Sequence, residues 1–463
     1  MKKEGFFIIL ALILASFFIP LTAFGWESNS SLEIFSKADS AYEESPQKII
    51  SDNKGGFIVG ISSSYRCFLQ RIDQNGNMLW PQGGVPVSIN STDQKIVDIA
   101  PTGDGGCLIL WNEGGARIQK IRPDGSWGLG STGKRLSLLS LSTVNAYKAI
   151  SDGENGLICF GFDSEYGSVN VGLYAQKINH NGDFCWDTGG IFLGRNYGYP
   201  VFFGSDEKGG FLAAGRSSIP MTLRYQHINR NGIACWTYGG VTISPTTTYG
   251  SFPDTKDYRY PKILSDGADG AVLTWQWATF YPGSLVAQHI GSQGELLWTG
   301  RGLTLSTTIF ASNSSPSSNL WKDKDNNFYV IWNPFGVQKF NLQEQISWQE
   351  NGINVVSPDT YVPSKYVCTE DGLGNLITLT GDSNYSLKIQ KLDDSGNRIW
   401  GDSAISPGVI NPYRINMVLD NTGGAFILWQ ESNNGPLYAR RIYRDGQFIT
   451  NVSVPFREWK ILE

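Results

Sequence analysis

The chain has 463 residues, with 37 Lys and Arg against 42 Asp and Glu and a formal net charge of −5. No Lys/Arg cluster breaks this near balance, which excludes the electrostatic footprint of a nucleic-acid or anionic-membrane binder. With 54 glycines, 13% aromatic residues and no long helical periodicity, the composition favours sheet over helix.

At the N-terminus, Lys2 and Lys3 precede an apolar run from Phe6 to Leu21 and the pattern Ala23-Phe24-Gly25 before Trp26. This reads as a secretory signal peptide over residues 1–25. Polar residues follow from Glu27 to Ser31 with no stop-transfer pattern. No later stretch reaches the roughly 18–20 apolar residues that span a bilayer. The expectation is a secreted or periplasmic protein without a membrane span. No cysteine sits just after the predicted cleavage point, which argues against a lipid-anchored lipoprotein.

From Trp26 to Glu463 one texture runs without a Pro- or Ser-rich linker, and a unit recurs about every 50 residues, the length of a four-stranded propeller blade. Its first half is a short strand, an acidic turn ending in Gly-Gly or a variant, and an apolar strand. It reads Lys48 to Val59 around Asp52, Gly55 and Gly56, and recurs at Asp104, Asp152, Asp206, Asp266, Asp325, Asp371 and Asp420. The second half is a strand carrying Gln-basic-Ile, a tight turn and a strand with tryptophan. Its plainest forms are Gln70 to Trp80 and Gln390 to Trp400. The tryptophan slot holds Trp80, Trp127, Trp186, Trp236, Trp298, Trp348 and Trp400, and the eighth copy carries Phe448 in a different pattern.

Each copy is a pair of hairpins whose glycines supply positive φ at the reversals. One such sheet cannot bury both faces alone, whereas stacking copies around an axis does. Each buried tryptophan removes about 150–250 Å² from water, an upper bound of roughly 4–6 kcal/mol. The fold class expected is therefore all-β, a closed β-propeller of about eight four-stranded blades, with seven possible if a terminal unit is recruited for closure. Residues 26–463 form its single domain.

The run Gly76-Asn77-Met78-Leu79-Trp80 after Asp73, and Gly396 to Trp400 after Asp393, resemble the tryptophan-docking motif of quinoprotein-type eight-bladed propellers, with a turn one residue shorter. The whole unit is similar, more loosely, to repeats of bacterial secreted β-propeller proteins of unassigned function. The resemblance implies the fold. It does not carry the quinoprotein cofactor, because the adjacent cysteine pair found in many of those dehydrogenases is missing here.

Other motifs are weighed against the repeat. Cys67, Cys107, Cys159, Cys185, Cys235 and Cys368 show no CxxC or Cys/His spacing and read mostly as buried thiols, with disulfide pairing left open. Gly128 to Arg135 satisfies GxGxxG but occupies the post-tryptophan slot, and Arg135 stands where a phosphate loop needs Ser or Thr. His227 and His289 occupy the basic slot of the third strand, and no set of three or four metal ligands accompanies them. The Asp-rich turns suit calcium in chemistry, yet capping of their own turns explains the recurrence. No catalytic residue, metal or cofactor is expected.

In a four-stranded blade the first-to-second and third-to-fourth turns share one face of the disc. Second-to-third loops and blade-to-blade connections share the other. Length and aromatic residues gather on this second face, at Tyr197, Tyr199, Tyr258, Tyr260, Trp277, Phe280 and Tyr281, and the second strands end near it in Trp111, Trp275, Trp332 and Trp429. Loops on a rigid scaffold are where binding concentrates. The seven loop residues are the candidate ligand site, and a protein or glycan the expected partner of a non-enzymatic recognition or scaffold propeller. The alternative is a polysaccharide-active lyase or hydrolase using carboxylates such as Asp257 or Glu165 on the same face.

Overall fold

The computed structural model describes residues 31–35, 48–63, 65–90, 93–136, 146–162, 172–187, 189–195, 201–218, 221–237, 239–243, 257–278, 283–299, 302–309, 319–332, 336–355, 366–381, 386–410, 412–432 and 435–448. The signal-peptide segment lies outside them. The strands form eight antiparallel sheets, one for each repeat. Blade 1 holds Lys48–Ser51, Phe57–Ser63, Arg66–Ile72 and Val85–Pro86. Blade 2 holds Lys95–Pro101, Cys107–Asn112, Ala116–Ile121 and Lys134–Arg135. Blade 3 holds Ala146–Ser151, Leu157–Phe162, Gly172–Ile178 and Ile191–Arg195. Blade 4 holds Val201–Ser205, Phe211–Ser218, Met221–Ile228 and Val241–Ile243.

Blade 5 has the longest strands, Asp257–Ser265, Ala271–Ala278, Gly283–Ile290 and Leu303–Ile309. Blade 6 holds Asn319–Lys322, Phe328–Trp332, Gly336–Phe340 and Ile353–Asn354. Blade 7 holds Tyr366–Glu370, Leu376–Gly381 and Leu387–Leu392, and its fourth strand is reduced to bridges of Ile405 and Ile410 to Ile389 and Ser386. Blade 8 holds Arg414–Leu419, Ala425–Gln430 and Leu437–Ile442. The first strands of successive blades touch one another in turn, and that of blade 8 touches that of blade 1. They are thus the innermost strands of a closed eight-bladed propeller.

Ring closure uses the N-terminal segment. Leu32–Phe35 pairs antiparallel with Leu437–Ile442 and supplies the fourth, outermost strand of blade 8. Ile34 and Phe35 then join Phe57, Val59, Phe426 and Leu428 in one apolar cluster spanning the first and last blades. The Arg441 guanidinium donates to the Gln74 carbonyl at 2.7 Å across the same seam. An early and a late segment of the chain are therefore tied into one blade, which gives blade 8 its fourth strand.

The recurrent glutamine has a specific task. Gln390, buried in the third strand, accepts from the Trp400 backbone N–H at 3.2 Å and donates to the Gly401 carbonyl at 2.9 Å. Gln70 holds Trp80 in the same way. So fixed, each indole reaches the next blade: Nε1 of Trp80, Trp186, Trp236, Trp298, Trp348 and Trp400 donates to Pro123, Arg230, Ser292, Leu342, Asp394 and Arg444 carbonyls, all in third-to-fourth turns. The turn glycine meets the ring. Gly446 has φ 85°, and a Cβ there would lie 2.7 Å from Trp400 Cδ1.

Copy 2 departs from the expected slot. Ten residues after Gln119 stands Leu129, whose backbone N–H bonds Gln119 and whose side chain lies against Gly182 of blade 3. Trp127, two residues earlier, donates instead to the Pro86 carbonyl of blade 1. The acidic slot also shifts twice: Thr102 stands in it in copy 2, and in copy 6 the capping carboxylate is Asp323 rather than Asp325. The tryptophans at the ends of the second strands, Trp111, Trp275, Trp332 and Trp429, are buried between blades.

Candidate functional site

The acidic turns are internally occupied. One Asp52 oxygen accepts from the N–H groups of Lys54 and Gly56, and the other binds the Arg71 guanidinium at 2.9 Å. The same capping and pairing recur at Asp206 with His227 at 3.1 Å, Asp266 with His289 at 2.9 Å, Asp371 with Lys391 at 2.6 Å and Asp420 with Arg441 at 2.8 Å. Burial raises the Asp371 carboxyl, but hydrogen bonds from Lys391 and Asn375 outweigh it and hold the group below its ordinary value. The two histidines thus occupy a structural basic slot, each paired with its turn aspartate. The glycine-rich run 128–133 likewise leads into the outer strand Lys134–Arg135, with Gly133 packed on Trp111.

All six cysteines are free thiols; Cys67, Cys107, Cys159 and Cys368 are buried and Cys185 is exposed. Burial pushes the Cys67 and Cys159 thiols up to about 12. They fill the blade cores, as Cys159 does beside Leu157 and Tyr174.

The aromatic loop candidates fall unevenly. Tyr197, Tyr199, Phe280 and Tyr281 lie outside the described residues, as does Glu165. Tyr258 and Asp257 begin the first strand of blade 5, but their side chains lie outside the description. Tyr260 is half-buried with φ 51°, at a bulge between Arg259 and Lys262. Trp277 is half-buried and packs on a cluster that includes Tyr225, Trp236 and Trp275.

A feature that the repeat reading passed over lies at the inner ends of these loops. Four residues before the turn aspartate or its Thr102 counterpart, the first strands carry Lys48, Asp98, Lys148, Phe202, Lys262, Asn319, Val367 and Asn416 in ring order. All eight are half-buried, whereas at the next residue along seven of the eight are fully buried. This position lies on the innermost strand of each blade, four residues before the turn, so it borders the axis. Over blades 1 to 5 three ammonium groups face one carboxylate. Lys48 Nζ lies 3.7 Å from Asp98 Oδ1, with side chains 24% and 20% exposed. Lys262 Nζ lies 3.7 Å from the centre of the Phe202 ring.

Burial lowers the Lys148 ammonium below its ordinary value, with Asp98 opposing and Lys48 adding to the shift. Burial and then the Lys148 charge push Lys262 down to about 7. No described carboxylate lies within ion-pair distance of Lys148 or Lys262. Directly opposite Lys262 in the sheet is Thr274, and Gln276 follows on the same face. Both are fully buried, and Thr274 Oγ1 and both Gln276 amide atoms lack a hydrogen-bond partner. Such atoms are uncommon in folded proteins. The signal legible in the sequence was the lysine at one repeat position in copies 1, 3 and 5, where the other copies vary.

Among the described residues no group of three His, Cys, Asp or Glu side chains is placed to hold a metal ion, and no helix is long and apolar enough to cross a membrane. No protein-family model matches the chain, and no curated protein does. Among solved structures, the chain is similar to prolyl oligopeptidase B from Galerina marginata, at 11% identity and TM-score 0.46 over 77% of this chain and 50% of that one. It thus spans about half the length of that enzyme. It is also similar to the Dos1 propeller, at 10% identity and TM-score 0.44 over 74% and 80% of the two chains, and to a eukaryotic initiation factor, at 9% identity and TM-score 0.42 over 92% and 96%. At these values the likeness carries no function across.

Proposed function

We propose that this is a non-enzymatic, extracytoplasmic recognition or scaffold propeller that holds a protein or glycan ligand at its loop-rich face. The observation that carries the reading is the contrast between the two faces. On the turn face, the repeated carboxylates and basic groups are consumed by one another. Around the axis, charged and polar groups stand with few partners, and the sequence puts Tyr and Trp into the connections assigned to the loop-rich face. A rigid ring that presents such groups and aromatic loops suits binding, because little order has to be created when a ligand arrives. Export follows from the signal-peptide pattern of residues 1–25.

The test is a binding screen of residues 26–463 against a glycan array and against proteins from the envelope and medium of the source cells. A ligand retained by the wild-type chain and lost on joint Ala replacement of Tyr199, Tyr258, Trp277 and Tyr281 is the expected result. Equal retention by that variant, or shortening of a polysaccharide in place of retention, would overturn the reading.

A further inference from the structure

We propose that Trp26, the first residue after the signal-peptide pattern, is the docking residue of the seam between blades 8 and 1, with its indole seated on the blade 1 turn around Gln74 and Gly76. The inference concerns how the ring is locked and stands apart from the binding-face reading.

The other seams share one construction. The docking residue lies five positions before the fourth-strand residue that faces the neighbour of the third-strand glutamine. Trp80 thus precedes Val85, which faces Leu69; Trp186 precedes Ile191, which faces Ala175; and Trp400 precedes Ile405, which is bridged to Ile389. Docking residue and strand residue then cover one turn glycine of the next blade together. A Cβ on Gly125 would lie 3.1 Å from both Trp80 and Val85, and one on Gly446 would lie 2.7 Å from both Trp400 and Ile405.

Copy 8 has neither the glutamine nor the tryptophan. Arg440 stands at the glutamine position, and Thr450 at the docking position ten residues later. The two go together for a physical reason: the glutamine pins a chain that runs on from third strand to fourth, and in blade 8 the fourth strand comes from the other end of the sequence. Leu32 faces Ala439, the neighbour of Arg440, as Val85 faces Leu69. Leu32 also packs on the cluster that holds Ile72 and Met78 of blade 1. It therefore takes the place in this seam that Val85 takes in the next one. Counting back from Leu32, the repeat puts a docking residue five positions earlier, and Trp26 stands six earlier. Arginine has no acceptor for a backbone N–H, so no glutamine-like clamp fixes the loop at five.

The receiving turn has the features of the other sockets. Gly76 has φ 87°, matching the turn glycines Gly125 and Gly446 at 85°. In the seam between blades 1 and 2, the Pro123 carbonyl accepts from Arg71 Nη1 at 3.5 Å and from the Trp80 indole at 3.0 Å. Its counterpart in blade 1 is the Gln74 carbonyl, which accepts from Arg441 Nη1 at 2.7 Å. The arginine half of the pair is in place, and the second lone pair of that carbonyl suits an indole N–H. Trp26 and Trp459 are the two tryptophans outside the described residues. Trp26 is the one within a single residue of the repeat's spacing, whereas Trp459 stands nine positions beyond the docking slot of its own copy.

The experiment follows indole N–H exchange by NMR in residues 26–463 labelled with 15N-tryptophan. Trp26→Phe, Trp80→Phe and Trp459→Phe identify the three signals by loss. In parallel, p-benzoylphenylalanine replaces Trp26, or Trp459, and its photo-cross-links are mapped by mass spectrometry. The Trp26 indole is expected to exchange at least about a hundredfold more slowly than in the urea-unfolded chain, as the Trp80 indole does, with Trp459 in fast exchange. Cross-links from position 26 are expected on residues 74–76 of the same molecule. A Trp26 indole that exchanges as in the unfolded chain overturns the assignment, as do cross-links from position 26 that are absent, miss that turn or join two copies. A protected Trp459 with cross-links from position 459 to residues 74–76 overturns it in favour of the C-terminal segment.

Discussion

Lys262 shows how one residue can be fitted for something other than stability. Its ordinary ammonium value is about 10.4, and in the folded chain burial and Lys148 push it down to about 7. Between those two values the unfolded chain binds more protons than the folded one, so the sign of linkage makes stability rise with pH across that window. Below about 7 the cost of holding a charged amine there is fully felt. Lys262→Met should therefore unfold at a higher temperature than the wild type at pH 6, with the gap closing towards pH 10. Scanning calorimetry at both pH values checks it, and equal midpoints at pH 6 would contradict the assignment. None of this was legible from the residue itself. A lysine in a first strand reads as solvated surface until the ring brings Phe202 and Lys148 against it.

At the scale of the element, the repeat was legible because its grammar is physical. Gln at the third strand fixes the tryptophan loop, the indole spans to the next blade, and the turn glycine leaves room for it. Acid and basic slots lie on neighbouring strands, so alternating pattern and turn chemistry expose them together. Where register mattered, spacing alone misled: Trp127 lies two residues short of the docking position, and Leu129 fills it. In copy 6 Asp323 caps the turn in place of Asp325, because the accepting oxygen lies four residues before the Asn327 amide, whereas in copy 2 Thr102 holds that slot and Asp104 accepts from Gly106. A quantitative difference follows. Trp400→Ala should cost about 3–5 kcal/mol by removing a buried indole and its bond to blade 8. Trp127→Ala, from a half-buried site, should cost less than half as much. Urea unfolding of the two variants measures this, and equal losses would contradict the docking register.

At the scale of the molecule, eight copies announce a ring, but the sequence left open how it closes. A four-residue strand, Leu32–Phe35, carries too little pattern to assign, and its place becomes clear only when Leu437–Ile442 presents an unpaired edge. Closure also creates the rim, since residues some 50 positions apart in the chain become neighbours only around an axis. The aromatic candidates follow from irregularity of the repeat, the lysine rim from its regularity. The most direct measurement of the binding-face claim is hydrogen–deuterium exchange of residues 26–463 with and without the ligand retained in the binding screen. Slowed exchange at the second-to-third connections and along the first strands, around Lys48, Lys148 and Lys262, is the predicted result. Slowed exchange confined to the acidic turns around Asp52, Asp206 and Asp371 would place the ligand on the opposite face and contradict it.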